Sequence, residues 1–440
     1  MMLYVSADGD DRNAGTLEQP MRQPEAARRK LRAGDMLRLQ RGGIYQPFAL
    51  ACECIVDVYG TGFGHAIIEA GQSATGLRIR TTGAVRIYGL EIIAPKGSGA
   101  AGVSFVEPLP PNISLAQCRI TGFKDNLNLV QTSDRGTRPG KVVLNGCCVA
   151  DSTSMVGGNS QGIHADFSGV LAIRECVIDH NGHVPADSVR NHNIYAQPRC
   201  RVEISSSIVS NPESHGMQAR GGCHAHRVLF FHCPLPISVS RRASVVSECG
   251  ILDACDIGAQ DRAMAIEVHP VLESPAAETR GIEIRGNVMA CSDPGQRCMV
   301  LIKHSDYGGR FEVLVRANVG HQAGPLAVLH RATLGHASLA GAKIVIESND
   351  NDEAHAVPGL PPPPKGGENQ VLVRLVDPAA IEAIRVLTRR AIAHARTRGA
   401  SFGETFPRGC WPDLLIASLR SAIRQAPSKG DRLQTEIVEA

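Results

Sequence analysis

The feature that most constrains this chain is an apolar motif that returns roughly every thirty residues. It runs apolar, gap, apolar, two small or polar residues, a key residue, gap, apolar. It appears as "VRIYGLEI", "ISLAQCRI", "VVLNGCCV", "LAIRECVI", "EISSSIV", "RVLFF", "LDACDI", "IEIRGNVM", "VLVRANV" and "IVIESND". Aligning these puts Leu90, Cys118, Cys147, Cys176, Ser207, Leu229, Cys255, Asn287, Asn318 and Asn349 in one column, spaced 28, 29, 29, 31, 22, 26, 32, 31 and 31 residues apart. Short period-two strands at this spacing, with no helix between them, bury their apolar side chains only by stacking coil on coil. The expected fold is all-β: a single-stranded right-handed parallel β-helix, a solenoid of about 10 to 12 coils.

In such a solenoid the column is an interior ladder, with Asn amides bonding from coil to coil and Cys or Ser filling narrower ground. Stacked cysteines come near disulfide distance, and in a reducing compartment they are expected as buried thiols. Composition fits many short strands around a thin aliphatic core: 43% hydrophobic, 4% aromatic and 45 glycines. The net charge of +3 is spread along the chain and points to no nucleic-acid partner. The 14 cysteines show no zinc spacing, so neither a metal nor another cofactor is expected. No apolar run has membrane-spanning length, and "MMLYVSADGDD" enters a strand without an export signal. As written this predicts a cytoplasmic protein with no membrane partner, periplasmic or secreted if the start is processed; the pattern leaves the oligomeric state open.

The segment "LYVSADGDDRNAGTLEQPMRQPEAARRKLRAGDMLRLQRGGIY" resembles the opening of pectin-lyase-like right-handed β-helix proteins. It has a strand, an Asp/Gly-rich turn, a G-T-x-x-x-P element, a short helix, then "GD" and a strand ending in G-x-Y. The resemblance extends over most of residues 3 to 350 and implies an N-terminal capping helix near Pro24 to Arg32. The β-helix is expected over 1–356, a Pro/Gly-rich linker over 357–370 and a helical tail over 371–440, either capping the C-terminal end or docking a partner.

The ladder fixes the register upstream. Ile163 lies thirteen residues before Cys176, Ile194 thirteen before Ser207, and Met217 twelve before Leu229. This aligns "GIHAD", "NIYAQ" and "GMQAR". Alternation sends Ile163, Ala165, Ile194, Ala196, Met217 and Ala219 inward. His164, Tyr195 and Gln218 then form one outward column, and Asp166, Gln197 and Arg220 another. Gln161, His192 and His215 stand where each strand begins, with Asn193 beside His192; Glu267, His269, Lys303 and His304 continue the strip. "HNIYAQ" followed by "SHGMQARGG" is similar to a signature of bacterial right-handed β-helix repeat proteins linked to extracellular polysaccharides. Here Gln218 and Ala219 stand where Lys and Ser are usual in that signature.

Read chemically, Tyr195 or His164 exchanges a proton, Arg220 clamps a carboxylate, and His192, Asn193, Gln197, Asp166, His215 and Gln218 hold a substrate. That set suits β-elimination on an acidic, uronate-containing polysaccharide. A uronate C5-epimerase would use the same residues, and a non-catalytic glycan-binding or exopolysaccharide-assembly protein is the rival class. Hydrolysis is disfavoured, because the strip shows only Asp166 where a carboxylate pair is needed.

Overall fold

In this computed structural model the described residues are 1–61, 64–95, 99–133, 139–154, 158–184, 191–239, 243–254, 264–268, 281–290, 298–302, 311–321, 327–329, 342–347, 350–351, 370–371, 378–398, 406–407 and 409–424. The chain divides into two compact units. The first comprises Met1–Glu203, Ser210–Ser214 and Ile392–Phe406; the second comprises Ile204–Val209, His215–Ala391 and Pro407–Ala440.

Each coil of the first unit gives one short strand to each of three parallel sheets. One coil runs Asn112–Ala116, Arg119–Thr121, Phe123–Gln131; the next Gly140–Asn145, Cys148–Ala150, Gln161–Asp166; the next Gly169–Arg174, Val177–Asp179, His192–Ala196. Registers stack like on like: Leu115, Leu144 and Ile173 in the first sheet, Ile120, Val149 and Ile178 in the second, Leu127, Ile163 and Ile194 in the third. All nine are fully buried, and each contributes about 1.5–3 kcal/mol relative to exposure. This is a parallel β-helix, the architecture that the sequence period implies. The short helix α1 spans Pro24–Arg28 and packs beside the strands Met2–Val5, Asp35–Gln40 and Phe48–Leu50. It stops short of the expected Arg32 because Lys30 and Leu31 donate back to Ala27 in a closing turn.

A single residue in the left-handed region turns each first-sheet strand into the second sheet: Gly89, Gln117, Gly146 and Glu175 in the first unit, then Ser206, Arg227, Glu248, Gly286 and Ala317 in the second. The next residue is the ladder position. In the first unit these are Leu90, Cys118, Cys147 and Cys176, all with no exposed surface; the three cysteines are free thiols. In the second unit they are Ser207, Val228, Cys249, Asn287 and Asn318.

Two expected members of the column therefore change. Val228 follows the Arg227 corner, while Leu229 is already in the second-sheet strand, paired with Gly250. The next corner, Glu248, delivers Cys249, whereas Cys255 and Asn349 lie outside the described residues. Asn287 and Asn318 do form an amide ladder: Asn287 Nδ2 donates to Asn318 Oδ1 at 2.9 Å, and Asn318 Nδ2 donates to the Ile284 carbonyl at 3.0 Å.

Most of the expected linker lies outside the described residues. Beyond it are two helices, α2 (Pro378–Arg398) and α3 (Pro412–Arg424). Within the second unit α3 lies against second-sheet strands that include Leu229–Phe231, Gly250–Leu252 and Val288–Ala290. A Cβ at Gly250 would fall 2.9 Å from Ile416 Cγ1, so glycine lets the helix approach this closely. Arg385 forks onto Asp253 at 2.6 and 2.8 Å. Within the first unit, Arg396 pairs with Asp151 and, at 2.9 Å, with buried Asp179. In each unit the tail thus meets second-sheet residues.

Candidate active site on the third sheet of the first unit

Two consecutive residues face inward in these third-sheet strands. Asn126 and Leu127 are both fully buried, as are Asn193 and Ile194. Asn126 Nδ2 donates to Asn181 Oδ1 at 2.9 Å, and Asn181 Nδ2 donates to Asn193 Oδ1 at 2.8 Å. Asn193 Nδ2 then donates to the Ser210 carbonyl at 2.7 Å. Asn193, expected at the substrate, is instead a rung of a second interior amide ladder.

This break in alternation changes what borders the outward column. One register row links Asp125, Gln161 and His192. A second links Arg78, Ser104, Asn128, His164 and Tyr195, one per coil. In the first row each side-chain oxygen receives the N–H of the next coil: Gln161 N–H donates to Asp125 Oδ1 at 3.0 Å, and His192 N–H to Gln161 Oε1 at 2.9 Å. His192 Nδ1 stands 3.1 Å from that same oxygen. A carbonyl oxygen only accepts, so Nδ1 carries the imidazole proton.

The rings meet at Tyr195. His192 stacks with it, centroids 4.9 Å apart at 19°, and so does His164, 5.6 Å at 15°. Burial lowers the His164 pKa below its ordinary value, opposed by the nearby Asp166 charge, so the imidazole is neutral at pH 7. His164 Nε2 and Asn128 Oδ1 are buried without a hydrogen-bond partner. Burial also pushes the Asp125 carboxyl up to about 6, against the Gln161 N–H and Lys124, which favour its charged form. Asp125 was not among the sequence candidates.

Asp166 is engaged by Arg199, whose Nε and Nη2 donate to Asp166 Oδ1 at 3.1 and 2.8 Å; Nη2 also reaches the Gln131 carbonyl at 2.9 Å. Gln197, just past the strand, sends its N–H to the Ala165 carbonyl. The structure therefore brings together His164, His192 and Tyr195, ties Asp166 to Arg199 and turns Asn193 away. His215, Gln218 and Arg220 belong to the second unit. There Gln218 is in register with Ser238, and Ser238 with Glu267, which accepts from Ser238 Oγ at 2.8 Å. Arg220 is half-buried just after the strand His215–Ala219. His269, Lys303 and His304 lie outside the described residues.

A cleft of about 390 Å³ lies elsewhere in the first unit, lined by Ala94, Thr121, Gly122, Asp151, His180 and Arg396. Burial alone would raise the Asp151 carboxyl, but the His180 hydrogen bond and the Arg396 charge hold it below its usual range. Its charges already neutralise one another, which suits a docked tail better than a reacting substrate. Among the described residues no group of His, Cys, Asp and Glu is disposed to hold a metal, and no helix is long and apolar enough to cross a membrane.

Fold and strip together define a parallel β-helix with a titratable, ring-stacked outer face. No protein-family model matches the chain, and no curated protein matches it. Among solved structures, pectate lyase Pel9A is similar at 12% identity over 83% of this chain and 81% of that one, TM-score 0.44. Alginate lyase from Paenibacillus sp. str. FPU-7 is similar at 13% identity over 69% and 94%, TM-score 0.36. The lacto-N-biosidase GH136 from Eubacterium ramulus is similar at 12% identity over 80% and 67%, TM-score 0.38. None of these likenesses assigns a role to a residue of this chain.

Proposed function

We propose that the protein acts on a uronate-containing polysaccharide as a lyase, with His164 as base and Tyr195 as acid. The observation that carries this is the stacking of both His192 and His164 with Tyr195, where His164 Nε2 has no hydrogen-bond partner. The row from Arg78 to Tyr195 crosses five coils, about 19 Å at a strand spacing near 4.8 Å. That is long enough for several sugar residues. Exposed Arg78 supplies positive charge for uronate carboxylates.

In the elimination His164 Nε2 takes the C5 proton, the C4–oxygen bond breaks as the C4–C5 double bond forms, and the Tyr195 hydroxyl protonates the leaving oxygen. Solvent returns both groups to their starting states. Every group in this scheme belongs to the first unit; His215, Gln218 and Arg220 do not enter it.

A hydrolase reading fits poorly even with Asp125 added. Asp166 lies five residues beyond Gln161, the register mate of Asp125. By strand rise the two positions are separated by about 17 Å, against the roughly 5–10 Å of glycosidase pairs.

The test is the ultraviolet absorbance of unsaturated uronate products across a panel of uronate polymers. Tyr195→Phe and His164→Ala should each cut turnover about a hundredfold or more, with Tyr195→Phe keeping the ring stack. Solvent deuterium entering C5 without chain cleavage would replace the lyase by an epimerase. Polymer binding without either reaction, unchanged in Tyr195→Phe, would make this a binding protein and end the proposal.

A further inference from the structure

Two buried polar atoms on neighbouring coils have no hydrogen-bond partner, and they lie in the same row. Asn128 and His164 are direct register mates, and both Asn128 Oδ1 and His164 Nε2 are buried without a hydrogen bond. A buried polar atom left unsatisfied costs about 1–3 kcal/mol, and folded chains seldom carry two side by side unless a water, an ion or a ligand completes them. Burial favours neutral His164, and in the tautomer that a base needs its Nε2 is an acceptor. Asn128 Oδ1 is an acceptor by nature. Two adjacent acceptors call for a ligand that brings two hydrogens.

We infer that Asn128 is a substrate-binding residue: its Oδ1 accepts the hydroxyl of the same sugar ring whose C–H faces His164 Nε2. This rests on the lyase reading of the strip and names the subsite inside it. A pyranose presents a hydroxyl and a ring C–H on one face, so a single ring places the hydroxyl on Asn128 Oδ1 while its C–H lies against His164 Nε2. Ser104, the next residue of the row, is almost fully buried.

The sign of a stability change separates this from a structural role. An Asn that holds the fold loses stability when replaced, whereas one kept for a ligand leaves the empty protein more stable when its unsatisfied oxygen is removed. The experiment compares Asn128→Leu with the natural chain by thermal melting and by titration with oligogalacturonate and with neutral cello-oligosaccharide. The expected result is a higher melting temperature together with about tenfold or weaker binding, the size of one lost buried hydrogen bond.

A lower melting temperature would show that Oδ1 serves the fold and overturn the inference. A higher melting temperature with unchanged affinity for every saccharide the natural protein binds would overturn it as well. If the natural chain binds only the neutral sugar, the uronate reading fails while the hydroxyl subsite is still decided by the variant's affinity for that sugar. If it binds neither, both fail.

Discussion

The carboxyl of Asp125 accepts one backbone N–H and is pushed up to about 6, with burial the largest cause. A carboxyl whose folded pKa is raised holds its proton more tightly folded than unfolded. Its contribution is therefore fully favourable below about pH 4 and is lost as pH rises through about 6. Asp125→Asn keeps the oxygen that receives Gln161 N–H and removes the titration. The variant should gain stability over the natural protein between pH 4 and 7, by up to about 3 kcal/mol, and denaturant melts at the two pH values check this. A gap between the two proteins that stays constant over that range would show that Asp125 is already solvated. The sequence strip omitted this residue for a physical reason. Strict alternation outward from Leu127 sends Asp125 into the core, and only the inward turn of Asn126 into an amide ladder brings it out. The same turn explains Asn193, which looked like a ligand-binding neighbour of His192 and is a buried rung. His164 and Tyr195 were legible because they lie beyond that break, where alternation holds.

At the scale of strands and corners, the period was readable wherever a coil keeps its usual length. It slipped where two coils shorten, so that Val228 and Cys249 follow Ser207 at intervals of 21 residues each. The matching of apolar spacing drifted to Leu229 and Cys255 because both stretches are apolar enough to pass. What marks the position is the left-handed corner before it, and a corner occupied by Arg227 or Glu248 carries no glycine signal. Where the ladder residue is Asn the corner locks itself, since Asn318 Oδ1 receives both the amide and the backbone N–H of Asn287. Asn318→Leu removes that acceptor from two buried donors and should cost about 1–3 kcal/mol for each left unsatisfied. Thermal melting reads this, and an unchanged midpoint would mean that the Asn287 donors find other partners at no cost.

For the whole chain, a solenoid holds its coils by neighbour contacts, so an element that touches several coils matters more than its length suggests. The tail is such an element. Ile392–Phe406 belongs to the first unit, where Arg396 meets Asp151 and Asp179, and the stretch from Pro407 belongs to the second, where α3 covers second-sheet strands. The sequence showed two helices but not where they rest, because helical spacing reveals an apolar face and not the surface that receives it. Asp179 decides the energetics in the first unit: it is 1% exposed, and removing its Arg396 partner leaves a buried carboxylate with only Ser210 and Asn211 donating to it. Breaking one side of a buried pair costs about 3–5 kcal/mol, and half-exposed Arg396 places the expected loss at the lower end of that range. A chain ending before Pro378 should therefore melt lower than the full chain. Hydrogen exchange should quicken at Cys148–Ala150 and Val177–Asp179 in one unit and at Gly250–Leu252 and Val288–Ala290 in the other. Arg396→Ala in the full chain should reproduce only the first-unit part of that pattern. Exchange at those strands that is the same with and without the tail would show that the coils carry their own stability and that the helices rest on them without supporting them.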